Sequence, residues 1–290
     1  MSSTDIQTLL ANFDRLSDTY MREEVETALT CQDAITPHLL AIIESVAANP
    51  LVYSLEGHNG HVYAAALLSH FQEPDAHLPL IRAFSIPEEL LVELWGDLTT
   101  ETLPTMLYRT CNGSTTAIKE LVANRDVDQY VRCAAMEALS YIVAFDPSRR
   151  DEVISFFHGQ FTGEEADRES YFWGNLAATL CDLHPGESME VLRKAYTKDI
   201  IPTRFIEQRD VDEANDKDKD ATLTALRSWV IKRMPADVHG YISWFAEFQD
   251  QDATRAFPVP DNQKKSPAGA KKTGTGKKKD KKKTGKKKQR

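Results

Sequence analysis

DQYVRCAAMEALSYIVAF, Asp128–Phe145, is the clearest amphipathic helix in the chain, and its reading decides the fold. Val131, Ala134, Ala135, Ala138, Leu139 and Ile142 recur at helical period and form one continuous apolar stripe. Arg132 and Glu137 fall on the opposite face. Three alanines on the stripe let a neighbouring helix approach closely, so this helix is expected to pack between others rather than lie on a surface. Asp146-Pro147 then reads as an N-cap with proline at the first helical position, opening a second helix through Val153, Ile154, Phe156 and Phe157.

Similar pairs extend in both directions. Towards the N-terminus, short helices are expected through Ile6, Leu9, Leu10 and Phe13 and near Val25, Ala28 and Leu29. Thr36-Pro37 reads as a cap and proline start for a helix carrying Leu39, Leu40, Ile42, Ile43 and Val46, which ends before Asn49-Pro50. A turn at Glu56–Gly60 leads into Val62–Phe71, which Leu78–Phe84 answers, and Ser85-Ile86-Pro87-Glu88 has the capping-box pattern ahead of Leu90, Leu91 and Leu94. Shorter segments at Thr105–Thr110 and Thr115–Ala123 precede the central helix; Tyr171–Leu183 and Met189–Tyr196 form a further pair after it. Alanine-rich first helices recur near Ala65, Ala135 and Ala178, and no stretch alternates at period two for long. The expectation is an all-α, HEAT-like solenoid, a right-handed stack of helical hairpins. It comprises a body at 1–209, an acidic linker at 210–220, a last helical segment at 221–250 and a basic tail at 251–290.

With 290 residues, 41% of them hydrophobic, the chain can bury a sizeable core, and helical repeats grow without needing a domain boundary. Cys31, Cys111, Cys133 and Cys181 are far apart without a C-x-x-C, which fits reduced, mostly buried thiols of a cytoplasmic protein. The N-terminus lacks a basic region followed by a long apolar run, and the longest apolar run, Val62–Leu68, is too short to span a bilayer. The net charge of -9 hides a division: Asn262–Arg290 carries 13 Lys, 1 Arg and 1 Asp, leaving 21 basic and 43 acidic residues, a net of -22, for residues 1–261.

The runs AITPHLLAIIE, HVYAAALLSHF, YVRCAAMEALSYIV, ESYFWGNLAATLCDL and FIEQRDVDEA, in this order over residues 5–215, resemble a prokaryotic helical family catalogued as domain of unknown function 1186. The resemblance implies a HEAT-like fold and supplies no reaction. Some members end in a small zinc motif of the SEC-C type, and Gly274-Thr275-Gly276-Lys277-Lys278 is similar to its core. Lys271, Thr273 and Lys282 stand where that motif would place cysteines, so zinc is not expected and the tail reads as a degenerate, cysteine-less version.

Three constellations invite a chemical reading. Glu56, His58 and His61 form a metal half-site by composition, but no further His/Cys cluster adjoins them. The plainer reading puts His58 in a turn and His61 at a helix start. Asp216, Asp218 and Asp220 open like an EF-hand loop, yet Ala221 replaces the turn glycine and Arg227 the bidentate Glu, which leaves a solvated linker. Trp95, Trp173, Trp229 and Trp244 could mark a ligand groove, but Trp95 and Trp173 fall on or beside apolar stripes and read as core. No phosphate loop, G-x-S-x-G or Cys/His pairing stands out. No catalytic residue, metal site or cofactor is expected.

From Asn262 to Arg290 the tail has no aromatic or aliphatic side chain larger than alanine and is expected to be disordered. Its cations, Lys264, Lys265, Lys271, Lys272, Lys277, Lys278, Lys279, Lys281, Lys282, Lys283, Lys286, Lys287, Lys288 and Arg290, suit a polyanion. Without aromatics, and with one arginine, binding to RNA, DNA or anionic lipid would ignore sequence. Two functions follow: a non-enzymatic scaffold whose helical repeats bind a protein partner, or a sequence-independent nucleic-acid or ribosome-associated factor. The body's Arg22, Arg109, Lys119, Arg125, Arg132, Arg149, Arg150 and Arg168 are scattered among more numerous acids, which favours the scaffold.

Overall fold

Burial at helical spacing accounts for most of the elements in the computed structural model, which describes residues 3–15, 17, 19–245 and 248. The chain begins with α1 (Ser3–Asp14), α2 (Arg22–Leu29) and α3 (Gln32–Ala48), followed by α4 (Pro50–Glu56), α5 (Gly60–Phe71) and α6 (His77–Phe84). Next come α7 (Glu88–Trp95), α8 (Leu98–Glu101), α9 (Leu103–Thr110), α10 (Thr116–Ala123) and α11 (Gln129–Phe145). The last are α12 (Arg150–His158), α13 (Tyr171–Asp182), α14 (Met189–Thr197), α15 (Gln208–Asn215) and α16 (Lys219–Arg233). Short 3-10 turns at Pro74–Ala76, Pro147–Arg149, Gly186–Ser188 and His239–Tyr241 join or follow helices, and no strand occurs among the described residues.

The all-helical class agrees with the sequence reading. At the centre, α11 starts at the expected cap, where the Asp128 carboxylate accepts the Tyr130 N–H at 2.8 Å. It is buried nearly all round and packs against α8, α9, α10, α13 and α16. The same holds for α5, buried from Gly60 to Ser69 and packed against α1, α2, α3 and α9. Helices buried on every face belong to the interior of the assembly. Contacts run in order from α5 to α9, α9 to α11, α11 to α13 and α13 to α15.

Six hydrogen bonds join side chains to groups 33 residues away. They are His61 to Leu94 O, His77 to Thr110, Lys119 to Glu152, Arg132 to Glu165 O, Arg150 to Leu183 O and His184 to Lys217 O.

The structure corrects several local expectations. α3 begins at Gln32, so Pro37 lies inside it, and Thr36 Oγ1 donates back to Gln32 O at 2.9 Å instead of capping. Asp33 and Pro37 are both exposed, so the carbonyl that Pro37 cannot serve faces water. Ser85 does not cap α7; its hydroxyl donates to Ile81 O at 2.7 Å and closes α6. Asp146-Pro147 opens a 3-10 turn, with α12 starting three residues later. Arg132 and Glu137 are not on a solvent face: Arg132 is 3% exposed and the Glu137 side chain lies half-buried beside Arg233.

Residues 210–220, expected as a linker, hold most of α15 and the start of α16. A capping box between Glu207 and Asp210 fixes the start of α15, Val211 and Ala214 bury its inner face, and the Asp218 carboxylate accepts the Ala221 N–H at 2.8 Å. The described residues all fall within one compact unit. Of the last expected segment, residues 221–233 belong to α16, whereas Tyr241 ends a 3-10 turn and residues 242–244 form turns. This segment runs back across the earlier helices: Trp229 meets Tyr141 edge-on, Thr102 Oγ1 donates to Tyr241 O at 3.1 Å, and Phe248 packs on Tyr20 and Tyr63.

No single helix among the described residues is long and apolar enough to cross a membrane. α3 and α4 pass by composition only as a pair bent by 106°, and Ile35, Leu39, Ile43 and Val46 of α3 are core residues. The lysine-rich segment from Asn262, with all fourteen of its basic residues, lies outside the described residues.

Candidate functional site

The histidines at the head of α5 are pulled apart by their surroundings. His58, in the turn before α5, places Nδ1 2.7 Å from Asp14 Oδ2 and Nε2 2.9 Å from Glu56 Oε2. Hydrogen bonding to Glu56 and Asp14 raises its pKa. His61 is buried, donates from Nε2 to Leu94 O at 2.6 Å and stacks edge-on against Trp95. Burial pulls its pKa down to about 4. One ring lies between two carboxylates and the other is a buried core group, so they do not form one site. They flank Tyr53, which with Asp14, His38 and His58 lines an open cavity of about 770 Å³ between α1, α3 and α4.

Trp95 and Trp173 are core residues, and Trp95 Nε1 donates to Ala83 O at 2.9 Å. Trp229 is exposed, while Trp244 Nε1 donates to Gly240 O at 3.2 Å. Asp218 caps α16, and no group of three His, Cys, Asp or Glu among the described residues is placed to hold a metal ion. The four cysteines are free thiols, and burial pushes Cys133 up to about 12, far from thiolate formation.

A second cavity lies at the N-terminal ends of α11 and α13. Ser170 caps α13, and Gln129 Oε1 accepts from both Ser170 Oγ (2.9 Å) and Tyr171 N (2.6 Å), which ties the two helix starts together. The 163–170 loop folds over this point, because the Glu165 carboxylate gathers the N–H groups of Thr162, Gly163 and Glu164. Between the loop and α11 lies a cavity of about 790 Å³ lined by six carboxylates and two arginines.

Arg132 lies at its inner end. Nε donates to Val122 O and Nη1 to Glu165 O, both at 2.8 Å, while the guanidinium stacks over Phe172 at 4.0 Å. Nη2 is buried without a partner among the described residues.

Beside the cavity runs a row of exposed aromatic rings. Tyr130 and Tyr171 lie 6.0 Å apart, and Tyr171 meets Phe205 edge-on at 4.7 Å. Their exposures are 45%, 40% and 38%, high for rings of this size. Gly174 permits the arrangement, since a Cβ there would stand 2.6 Å from Phe205 Cβ. The row was missed in the sequence because each aromatic sits alone at a helix start or in a loop. Its local signal is an aromatic placed off the apolar stripe of α11 and again at the first residue of α13.

Residues 4–249 match the family described as "Protein of unknown function (DUF1186)". Two proteins, each named "Uncharacterized protein", from Chlamydia trachomatis serovar D and Chlamydia muridarum, are 31% identical to the chain over 192 residues. The matches cover 66% of this chain and 76% and 77% of the respective relatives. No solved structure matches the chain. With the family match spanning nearly all of the described body, the chain belongs to the DUF1186 family.

Proposed function

We propose that the protein is a non-enzymatic interaction scaffold, its helices arranged as a HEAT-like repeat whose outer edge holds a protein partner. The observation that carries the reading is the exposed row Tyr130, Tyr171 and Phe205, which presents apolar area from three successive parts of the stack on one edge. Aromatic rings supply much of the energy at protein interfaces. The repeat arrangement is supported by the six bonds of constant offset and by the ordered contacts from α5 through α15.

In this reading the lysine-rich tail adds polyanion binding without base readout. It keeps the lysines of a SEC-C-like core but not its cysteines, so it acts without zinc. The protein works in the cytoplasm.

The second reading, a sequence-independent nucleic-acid or ribosome-associated factor, draws on the charge of that tail. The body lends it less support. Of the eight body cations named from the sequence, Lys119 and Arg149 pair with Glu152, Arg150 with Glu187 and Arg168 with Asp199, while Arg132 is buried.

Affinity capture with the full chain and with residues 1–261, each with and without nuclease, tests the choice. A partner retained by the shorter chain and after nuclease is the expected result. A partner lost in either case transfers the function to the tail and its polyanion.

A further inference from the structure

We infer that α4 forms the contact of a symmetric dimer, in which Leu51 and Leu55 of one copy seat in the groove between α1, α3 and α4 of a second copy. The inference stands apart from the scaffold reading, which concerns the edge at Tyr130 and Tyr171.

Of the seven residues of α4, Tyr53 alone is buried, and three others are large aliphatics open to solvent: Leu51 at 55%, Val52 at 50% and Leu55 at 77%. Single exposed leucines are ordinary, but three aliphatics on two turns of one helix make a patch. Leu51 and Leu55, four residues apart, share the face of α4 that points away from Tyr53 and so form a ridge. Val52, next to the ridge, lines the open groove of about 770 Å³ together with Leu10, Ala11, Ala41 and Ile42. A ridge and a groove side by side satisfy each other twice in a two-fold dimer, because each copy offers both. A bilayer, being flat, would meet the ridge and leave the groove unfilled.

Charge also favours a second copy. Residues 45–55 include no charged side chain, and the two carboxylates that line the groove, Asp14 and Glu56, are both engaged by His58. At a two-fold axis a surface meets its own copy, and residues 1–261 carry a net charge of -22, so charged parts of this body repel when like meets like. The uncharged stretch removes that cost. By contrast, exposed Trp229 and Ile231 share their helix with Arg227 and Lys232.

Sedimentation velocity of the full chain at about 0.5 M salt tests the contact, since attraction between unlike charges is then screened within about 4 Å. Between about 1 and 200 μM the sedimentation coefficient should rise from the monomer toward the dimer value, and the dimer should be no weaker than at about 0.15 M salt. Leu51→Ser/Leu55→Ser should weaken association at least about tenfold. It should leave the thermal midpoint of the dilute chain unchanged, because both side chains are exposed. Ala41→Glu, at an exposed position lining the groove, should weaken association similarly, whereas Trp229→Ser/Ile231→Ser should change it less than about twofold. An equal mixture of the ridge and groove variants should associate more tightly than either alone, because one of the two ridge and groove contacts is whole in the mixed dimer.

A monomer at every concentration overturns the proposal, as does a dimer that salt dissolves or that survives Leu51→Ser/Leu55→Ser. A mixture no tighter than its components overturns the seating of ridge in groove. Cosedimentation of the dilute wild type with phosphatidylcholine vesicles, lost in the ridge variant, would overturn the dimer in favour of a lipid surface.

Discussion

Arg150 Nε donates to the carbonyl of Leu183 at 2.7 Å, across 33 residues of chain. The same guanidinium reaches His184 O at 2.6 Å and the Glu187 carboxylate at 2.8 Å, although Arg150 itself is 2% exposed. The first residue of α12 thus holds the turn that follows α13. Arg150→Met removes donors from two carbonyls, and a cost of about 2–3 kcal/mol is expected in denaturant unfolding. Glu187→Gln should cost under about 1 kcal/mol, because that carboxylate is more than half exposed. Similar losses from the two variants would mean that the carbonyl contacts are not what holds the turn.

His61 and His58 should give opposite pH dependences. The folded pKa of His61, about 4, lies below the ordinary value of about 6.5, so the unfolded chain binds more protons between these limits. The stability from neutral His61 is therefore complete above about pH 6.5 and falls away as pH drops toward 4. Buried His77, also pulled down to about 4, adds to the fall. His58 has a raised pKa, so its contribution is complete below about pH 6.5 and is lost as pH rises through the folded value. Thermal midpoints between pH 7 and 4.5 should fall in the wild type, fall less in His61→Gln, which can still donate to Leu94 O, and fall more steeply in His58→Asn. A His61→Gln profile parallel to the wild type would place the acid sensitivity elsewhere.

Along α11, burial ranks the substitutions. Ala135 and Ala138 are fully buried, so Ala138→Leu should cost about 1–3 kcal/mol through overpacking. Glu137 accepts from Tyr141 Oη at 2.6 Å under the returning C-terminal segment, so Glu137→Ala should cost about 1 kcal/mol, more than an exposed glutamate would. Urea midpoints read both; an unchanged midpoint for Ala138→Leu would contradict the close packing of α11.

α11 was legible because its stripe and its cap agree: periodicity placed Val131 to Ile142 inward, and Asp128 marked the start. The start of α3 was misread because Thr36-Pro37 imitates a cap, and only the exposure of Asp33 and Pro37 shows why the helix tolerates the proline. Charge concealed α15, where Val211 and Ala214 are the only buried residues. Arg132 was placed outward because a periodic stripe gives a direction relative to the helix, whereas its burial is made by Phe172 and by the loop at Glu165. The aromatic row is legible only once α11 and α13 stand side by side, since Tyr130 and Tyr171 are 41 residues apart in sequence and 6.0 Å apart in space.

The C-terminal segment behaves in packing as part of the body. Leu226, Val230, Val238, Tyr241 and Ile242 are buried, and His239 sits 2.8 Å from Glu26 and 2.7 Å from the Tyr20 hydroxyl. Several apolar side chains at about 1.5–3 kcal/mol each outweigh the ordering of a short segment. A chain ending at residue 218 should therefore melt at least about 10 °C lower than the full chain, or fail to melt cooperatively. A chain ending at residue 251 should melt within about 2 °C of it. Equal midpoints for all three would make the returning segment an ornament of the surface.

The tail's charge sets the last expectation. Of its 14 basic groups, about six to eight contacts with phosphates would make log affinity for single-stranded RNA fall against log salt with a slope of roughly -4 to -6. Base sequence should matter little, because a lysine-rich segment with a single arginine has little capacity for base-edge readout and carries no aromatic from Asn262 on for stacking. Ending the chain at residue 261 should abolish RNA binding. A shortened chain that binds RNA as tightly as the full one would move the polyanion site onto the helices.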